Sequence, residues 1–80
     1  MTISEAVAER ILALCKERNL TVNKLCTISA VTQSTVNDIV NKKAHNIGIV
    51  TIKKLCDGLG MEIPQFFDDE LFYGLEQVIF

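Results

Sequence analysis

Proline occurs once, glycine four times and tryptophan not at all in the 80 residues. With so few chain-breaking residues, and no Ser/Gly-rich or Pro-rich stretch, the sequence offers no linker and no low-complexity segment. It also has no internal repeat. No apolar run approaches the ~18 residues of a membrane-spanning helix, which excludes such a helix. The opening Met1-Thr2-Ile3-Ser4-Glu5 has neither the basic start nor the apolar core of a secretory signal. These absences predict a cytoplasmic protein with no membrane partner.

Histidine occurs once and cysteine three times, as Cys15, Cys26 and Cys56. An odd, widely spaced set does not form a secreted disulfide framework. Zinc sites need ligands paired a few residues apart, and neither the cysteines nor His45 supply such a pair. Each cysteine falls instead on the apolar stripe of a predicted helix, where a free thiol packs as a small hydrophobe. His45, isolated from any partner motif, reads as a loop residue rather than a ligand or switch. An enzyme brings together a nucleophile, a base and an electrophilic stabiliser. No carboxylate pair, Gly-rich phosphate loop or metal motif is present to suggest one. The expectation is a protein with no metal, no cofactor and no catalytic residues.

What is present is apolar residues, 49% of the chain, against 22% charged. That suits one domain whose core must be efficient, because a chain this short buries only ~60–65% of its unfolded surface. The formal net charge of −2 hides an asymmetry. All eight basic residues lie between Arg10 and Lys54, a stretch with only two acids, Glu17 and Asp38. The other eight acids flank it on both sides. A polyanion responds to the local field, so one side of an acidic protein can still attract it. Taken alone, the same charges also fit a solvated mixed surface.

Periodicity and capping signals predict an all-α chain. Thr2 and Glu5 fit a capping box opening a first helix from about Ile3 to Arg18, with Asn19 as C-cap. Val7, Ile11, Leu14 and Cys15 share its inner face. Thr21 caps a second helix, Val22 to Ser29, with Leu25, Cys26 and Ile28 inward. Thr32 caps a third, Gln33 to Lys42, with Val36, Ile39 and Val40 inward. A polar loop, Lys43 to Gly48, precedes a fourth helix from about Ile49 to Leu59 that packs through Ile52, Leu55, Cys56 and Leu59. Gly60 stands where a left-handed residue closes a helix. Pro64 fits the first turn of a fifth. Phe66 and Phe67 read as core plugs, and the tail from Asp68 to Phe80 as one more short helix.

Residues 22 to 41 are the informative unit. Two helices of about two turns joined by Ser29-Ala30-Val31 must cross steeply, with small Cys26 at the contact and Leu25, Val31, Val36 and Ile39 as wedges. Stepping ~100° per residue from Val36 sets Ser34, Asp38 and Asn41 opposite the core, with Asn37 beside them. Gln33 stands at the N-terminal tip. Gln and Asn side chains pair bidentately with adenine, Ser is adaptable, and a carboxylate such as Asp38 accepts from cytosine N4 while repelling phosphate. A solvated helix face is the bland reading of the same residues.

The run Asn19-Leu-Thr-Val-Asn-Lys-Leu-Cys-Thr-Ile-Ser-Ala-Val-Thr-Gln-Ser-Thr-Val-Asn-Asp-Ile-Val-Asn-Lys resembles the core of the lambda repressor/Cro-like (XRE) helix-turn-helix family. Thr51-Ile-Lys-Lys-Leu-Cys-Asp-Gly-Leu-Gly-Met-Glu-Ile-Pro-Gln-Phe-Phe resembles its fourth and fifth helices, so the likeness spans about residues 6 to 68. In particular the chain is similar to the small single-domain members. The resemblance implies a five-helix domain over residues 1–69, with helix three in the major groove of duplex DNA. By position it makes Gln33, Ser34, Asn37 and Asp38 base-edge readers. It places Asn41, Lys43, His45 and Asn46 by the DNA backbone, with Asn23, Thr32 and Lys42 added as further backbone contacts. The chain departs from the family in having Val22 where Gln is frequent, and Ala30 and Lys42 where Gly is common. Ala30 in a left-handed conformation would cost ~1 kcal/mol. Lys42 would either lengthen helix three or add a basic contact. Lys53 and Lys54, ordinary surface lysines one by one, become phosphate neutralisers as flanks of that helix.

The apolar tail, residues 70–80, exceeds the needs of a five-helix core and suggests an association surface. Two functions follow. The first is a sequence-specific DNA-binding regulator, a repressor acting as a homodimer on two half-sites. The second is a protein-interaction module, such as an antitoxin or accessory protein, gripping a protein partner with the tail.

Overall fold

The computed structural model describes residues 1–79; Phe80, part of the apolar tail, lies outside them. Five α-helices follow one another without a strand among the described residues: α1 Ile3–Glu17, α2 Val22–Ser29, α3 Gln33–Val40, α4 Ile49–Leu59 and α5 Ile63–Phe67. A 3₁₀ turn, Glu70–Phe72, comes last.

Side-chain caps start the first three helices where expected. Thr2 Oγ1 accepts from Glu5 N at 3.1 Å while the Glu5 carboxylate accepts from Thr2 N at 2.9 Å, so two orphan donors are satisfied reciprocally. Those bonds hold the Glu5 carboxyl below its ordinary range. Thr21 accepts from Lys24 N and Thr32 from Thr35 N. Gly60 closes α4 with φ 67.

The core takes Val7, Ala8, Ile11, Leu14 and Cys15 from α1, Leu25 and Cys26 from α2, and Val36 and Ile39 from α3. It is completed by Ile52, Leu55, Cys56 and Leu59 of α4 and by Phe66, which is wholly buried. All three cysteines are buried as free thiols, as their stripe positions predict. Burial pushes each thiol pKa up. Helix α2 packs tightly on α4. A Cβ built on Gly58 would lie 2.0 Å from Ser29 Oγ and 3.1 Å from Ser29 Cα. Only glycine fits there, and Ser29 Oγ is buried without a hydrogen-bond partner among the described residues.

Four expectations need correction. Helix three ends at Val40, not Lys42: Asn41 caps it, and Lys42 turns left-handed with φ 62. Lys43 N and Ala44 N both then donate to Asp38 O, at 2.8 and 3.1 Å, which draws the chain off the helix axis. Helix one ends at Glu17 with Arg18 as cap, and Asn19, one residue further, takes the left-handed turn at φ 58. On α2 the inward residue is Ser29, not Ile28, which is 40% exposed. The tail is helical only over the 3₁₀ turn Glu70–Phe72: residues 73–79 run irregularly, and Gly74 is left-handed.

What fastens α5 and the tail was not legible in the pattern. The Arg10 guanidinium donates to Phe66 O at 2.7 Å and Gln65 O at 2.9 Å, and pairs with Asp69 at 3.1 Å. Arg10 thus caps the carbonyl end of α5 from α1, where a cation is electrostatically favoured. Phe67 meets the rings of Phe66 and Phe72 edge-on, at 5.0 and 4.9 Å. Further on, Glu76 N donates to Met1 O, and the Glu76 carboxylate lies 3.5 Å from the Met1 ammonium.

Candidate nucleic-acid interface

The connection between α2 and α3 makes α3 available. Thr27 and Ser29 lead into Ala30, whose φ of 54 turns the chain sharply. Ala30 N and Val31 N donate to carbonyls of α2, and half-buried Val31 anchors the turn on the core. Thr32 then caps α3, with its hydroxyl 2.8 Å from that of Thr35. Val36 and Ile39 are sealed against α1, and this fixes which side of the short helix faces water.

Gln33, Ser34, Asn37, Asp38 and Asn41 are all exposed on that outward side. Among the described residues, their side chains make no hydrogen bond apart from a 3.4 Å contact of Ser34 with Thr32. The face is therefore a free set of donors and acceptors over two turns, with the helix N-terminus leading.

The loop after α3 is held beside it. Ser4 Oγ, in the first turn of α1, donates to His45 O at 3.3 Å. A depression of about 190 Å³ lies between α3 and the loop, and Thr35, Asp38, Asn46 and Thr51 line it. Asp38 of α3 and Asn46 of the following loop thus share one cleft. Lys43 and His45 are exposed, and Lys43 has no ion-pair partner among the described residues. Asn23 is exposed on α2, whereas Val22 packs half-buried on the core.

Other basic residues are already engaged. Lys42 Nζ pairs with Glu9 on α1 at 2.8 Å, and Lys53 pairs with Asp57 on α4 at 2.6 Å. Hydrogen bonding to these carboxylates holds both ammonium groups above the ordinary lysine range. Arg18 donates to Leu59 O. The partners of Lys42 and Arg18 lie on other helices, where no local spacing discloses them, whereas Lys53–Asp57 is an i,i+4 pair within α4.

Two short helices joined by a tight left-handed turn, with the second presenting an uncommitted polar face, define a helix-turn-helix DNA-binding domain. The chain belongs to the Cro/C1-type HTH DNA-binding domain family, whose profile matches residues 10–70. It is similar to prophage Lp1 protein 11, whose crystal structure matches with a TM-score of 0.81 at 33% identity, covering 94% of this chain and 99% of that one. Comparison with curated proteins finds no match. The protein is a DNA-binding transcription regulator of this class. No helix among the described residues is long and apolar enough to cross a membrane.

Proposed function

We propose that the protein is a sequence-specific transcriptional repressor that inserts α3 into the major groove of an operator. The observation that carries this reading is the free, amide-rich face of α3 ending in Gln33 at its leading tip. Gln33, Ser34, Asn37 and Asp38 read base edges; Asn23, Thr32, Asn41, Lys43, His45 and Asn46 position the domain on the sugar–phosphate backbone. Repression follows from occupancy of the operator, with residues 1–69 carrying the DNA-binding body.

The active form is a homodimer formed through the tail and its surroundings. Ile3, Ile49 and Val78 surround an apolar groove of about 280 Å³ floored by Val7, Ile52 and Phe67. Val78 and Ile79 are 75% and 80% exposed. A single short recognition helix supplies modest affinity, and a two-fold pair reads two half-sites about one DNA turn apart. Sedimentation should show dimer at high micromolar concentration with DNA present; monomer alone would remove this element.

The test of the whole reading is selection of duplexes from a randomised library by the purified protein at near-physiological salt. Inverted half-sites in the enriched sequence are the expected result, and a single half-site would favour a monomer. The same exposed tail supports the second reading, a protein-interaction module. No enrichment, with only weak salt-sensitive binding, would favour that module.

A further inference from the structure

We propose that Glu9 is a determinant of DNA specificity, because it holds Lys42 on the α1 side of α3 and withholds its charge from the DNA backbone. The inference rests on the DNA-binding reading above. Lys42 is the first residue past the cap of α3, and its backbone is fixed by its own N–H on Ile39 O at 3.0 Å. The next two N–H groups both converge on Asp38 O. From this left-handed position the side chain reaches Glu9 Oε1 at 2.8 Å. Glu5, one turn earlier on α1, also faces the same ammonium. Helix α1 packs on the side of α3 that buries Val36 and Ile39, opposite Ser34 and Asp38. Lys42 therefore points away from the reading face, although it follows α3 directly.

The pair is partly exposed, so its contribution to folding is small. Its effect falls on binding. A lysine contributes to backbone affinity by displacing condensed counterions from phosphate. A lysine already neutralised by Glu9 brings no net charge to that exchange. Moving it to phosphate would leave Glu5 and Glu9 uncompensated beside a polyanion. The pair thus lowers the sequence-independent part of the affinity and leaves the base contacts of α3 untouched. Lys43, exposed and without an ion-pair partner among the described residues, remains as the backbone cation at this end of α3.

The test is the salt dependence of binding to a short fluorescent duplex of random sequence, measured by anisotropy on the full chain. Wild type and Lys42→Gln should share one slope of log K against log salt, and Lys43→Gln should be shallower by about 0.9. Glu9→Gln should be steeper by about 0.9, so that it loses about threefold more affinity than wild type between 50 and 200 mM salt. The double variant Glu9→Gln/Lys42→Gln should return to the wild-type slope, which assigns the gain to the released lysine. A shallower slope for Lys42→Gln alone, an unchanged slope for Glu9→Gln, or a double variant that stays steep would each overturn the inference. In those cases a shallower Lys43→Gln would leave the DNA-binding reading standing. Absence of salt-dependent binding by wild type would defeat that reading itself, and the inference with it. Unchanged thermal melting of the variants guards against misfolding as the cause.

Discussion

Ala30 occupies a conformation that costs an L-residue roughly 1 kcal/mol, because its Cβ crowds the following carbonyl. Its φ of 54 makes the α2–α3 turn, so the strain is tied to the presentation of α3. Ala30→Gly should relieve that strain and raise stability by about 0.5–1 kcal/mol, read as a higher urea midpoint with an unchanged m-value. Gly58 behaves oppositely. Its missing Cβ is what lets α2 approach α4, and Ser29 backbone lies too near to yield. Gly58→Ala should lower stability by about 1–3 kcal/mol in the same assay through overpacking. Residue identities alone disclosed the first site, since Ala stands there in place of a common Gly. They could not disclose the second: a glycine inside an amphipathic helix looks like a propensity defect until its neighbour is known. The inward place on α2 expected of Ile28 goes to Ser29, which faces Gly58.

At the scale of elements, caps and apolar spacing made α2 and α4 legible to the residue. Local signals end where tertiary bonds take over. Helix α3 stops two residues before its expected end because Asp38 O takes two amide donors from the following loop. The tail has enough apolar residues for a helix, but among the described residues beyond Phe72 only Leu75 is half-buried. An isolated short helix without a packed face is marginal in water, and Gly74 adds a left-handed break. Helix α5, only five residues long, depends on Arg10 for its carbonyl end. Arg10→Met keeps much of the stem but deletes three hydrogen bonds made by a charged group. It should cost about 2–3 kcal/mol by urea denaturation. An effect below about 0.5 kcal/mol would show that α5 is held by Phe66 alone.

For the molecule as a whole, the buried thiols set a pH dependence. Each cysteine has its pKa raised in the folded state, so above about pH 8.5 the unfolded chain loses thiol protons that the native chain keeps. The folded state then binds more protons than the unfolded one, and stability falls as pH rises. The urea midpoint should decline between about pH 7.5 and 9.5, whereas a flat profile would mean that the thiols reach solvent. The outward face of α3 was legible, since Val36 and Ile39, with half-buried Val40, fix the inner side of a short helix. What the sequence hid was the pairing of cations across elements: Arg10 and Lys42 find acids far along the chain, which compensates part of the basic surplus within the molecule.

The central claim is that the exposed amides of α3 read sequence. Its most direct test is titration of the selected operator and a random duplex with wild type and with Gln33→Ala/Asn37→Ala at one salt concentration. Each lost bidentate contact removes about 1–3 kcal/mol of discrimination, so the double variant should bind the two duplexes almost equally while keeping the random-duplex affinity of wild type. A variant that still prefers the operator as strongly as wild type would place sequence reading elsewhere on the protein and contradict the account.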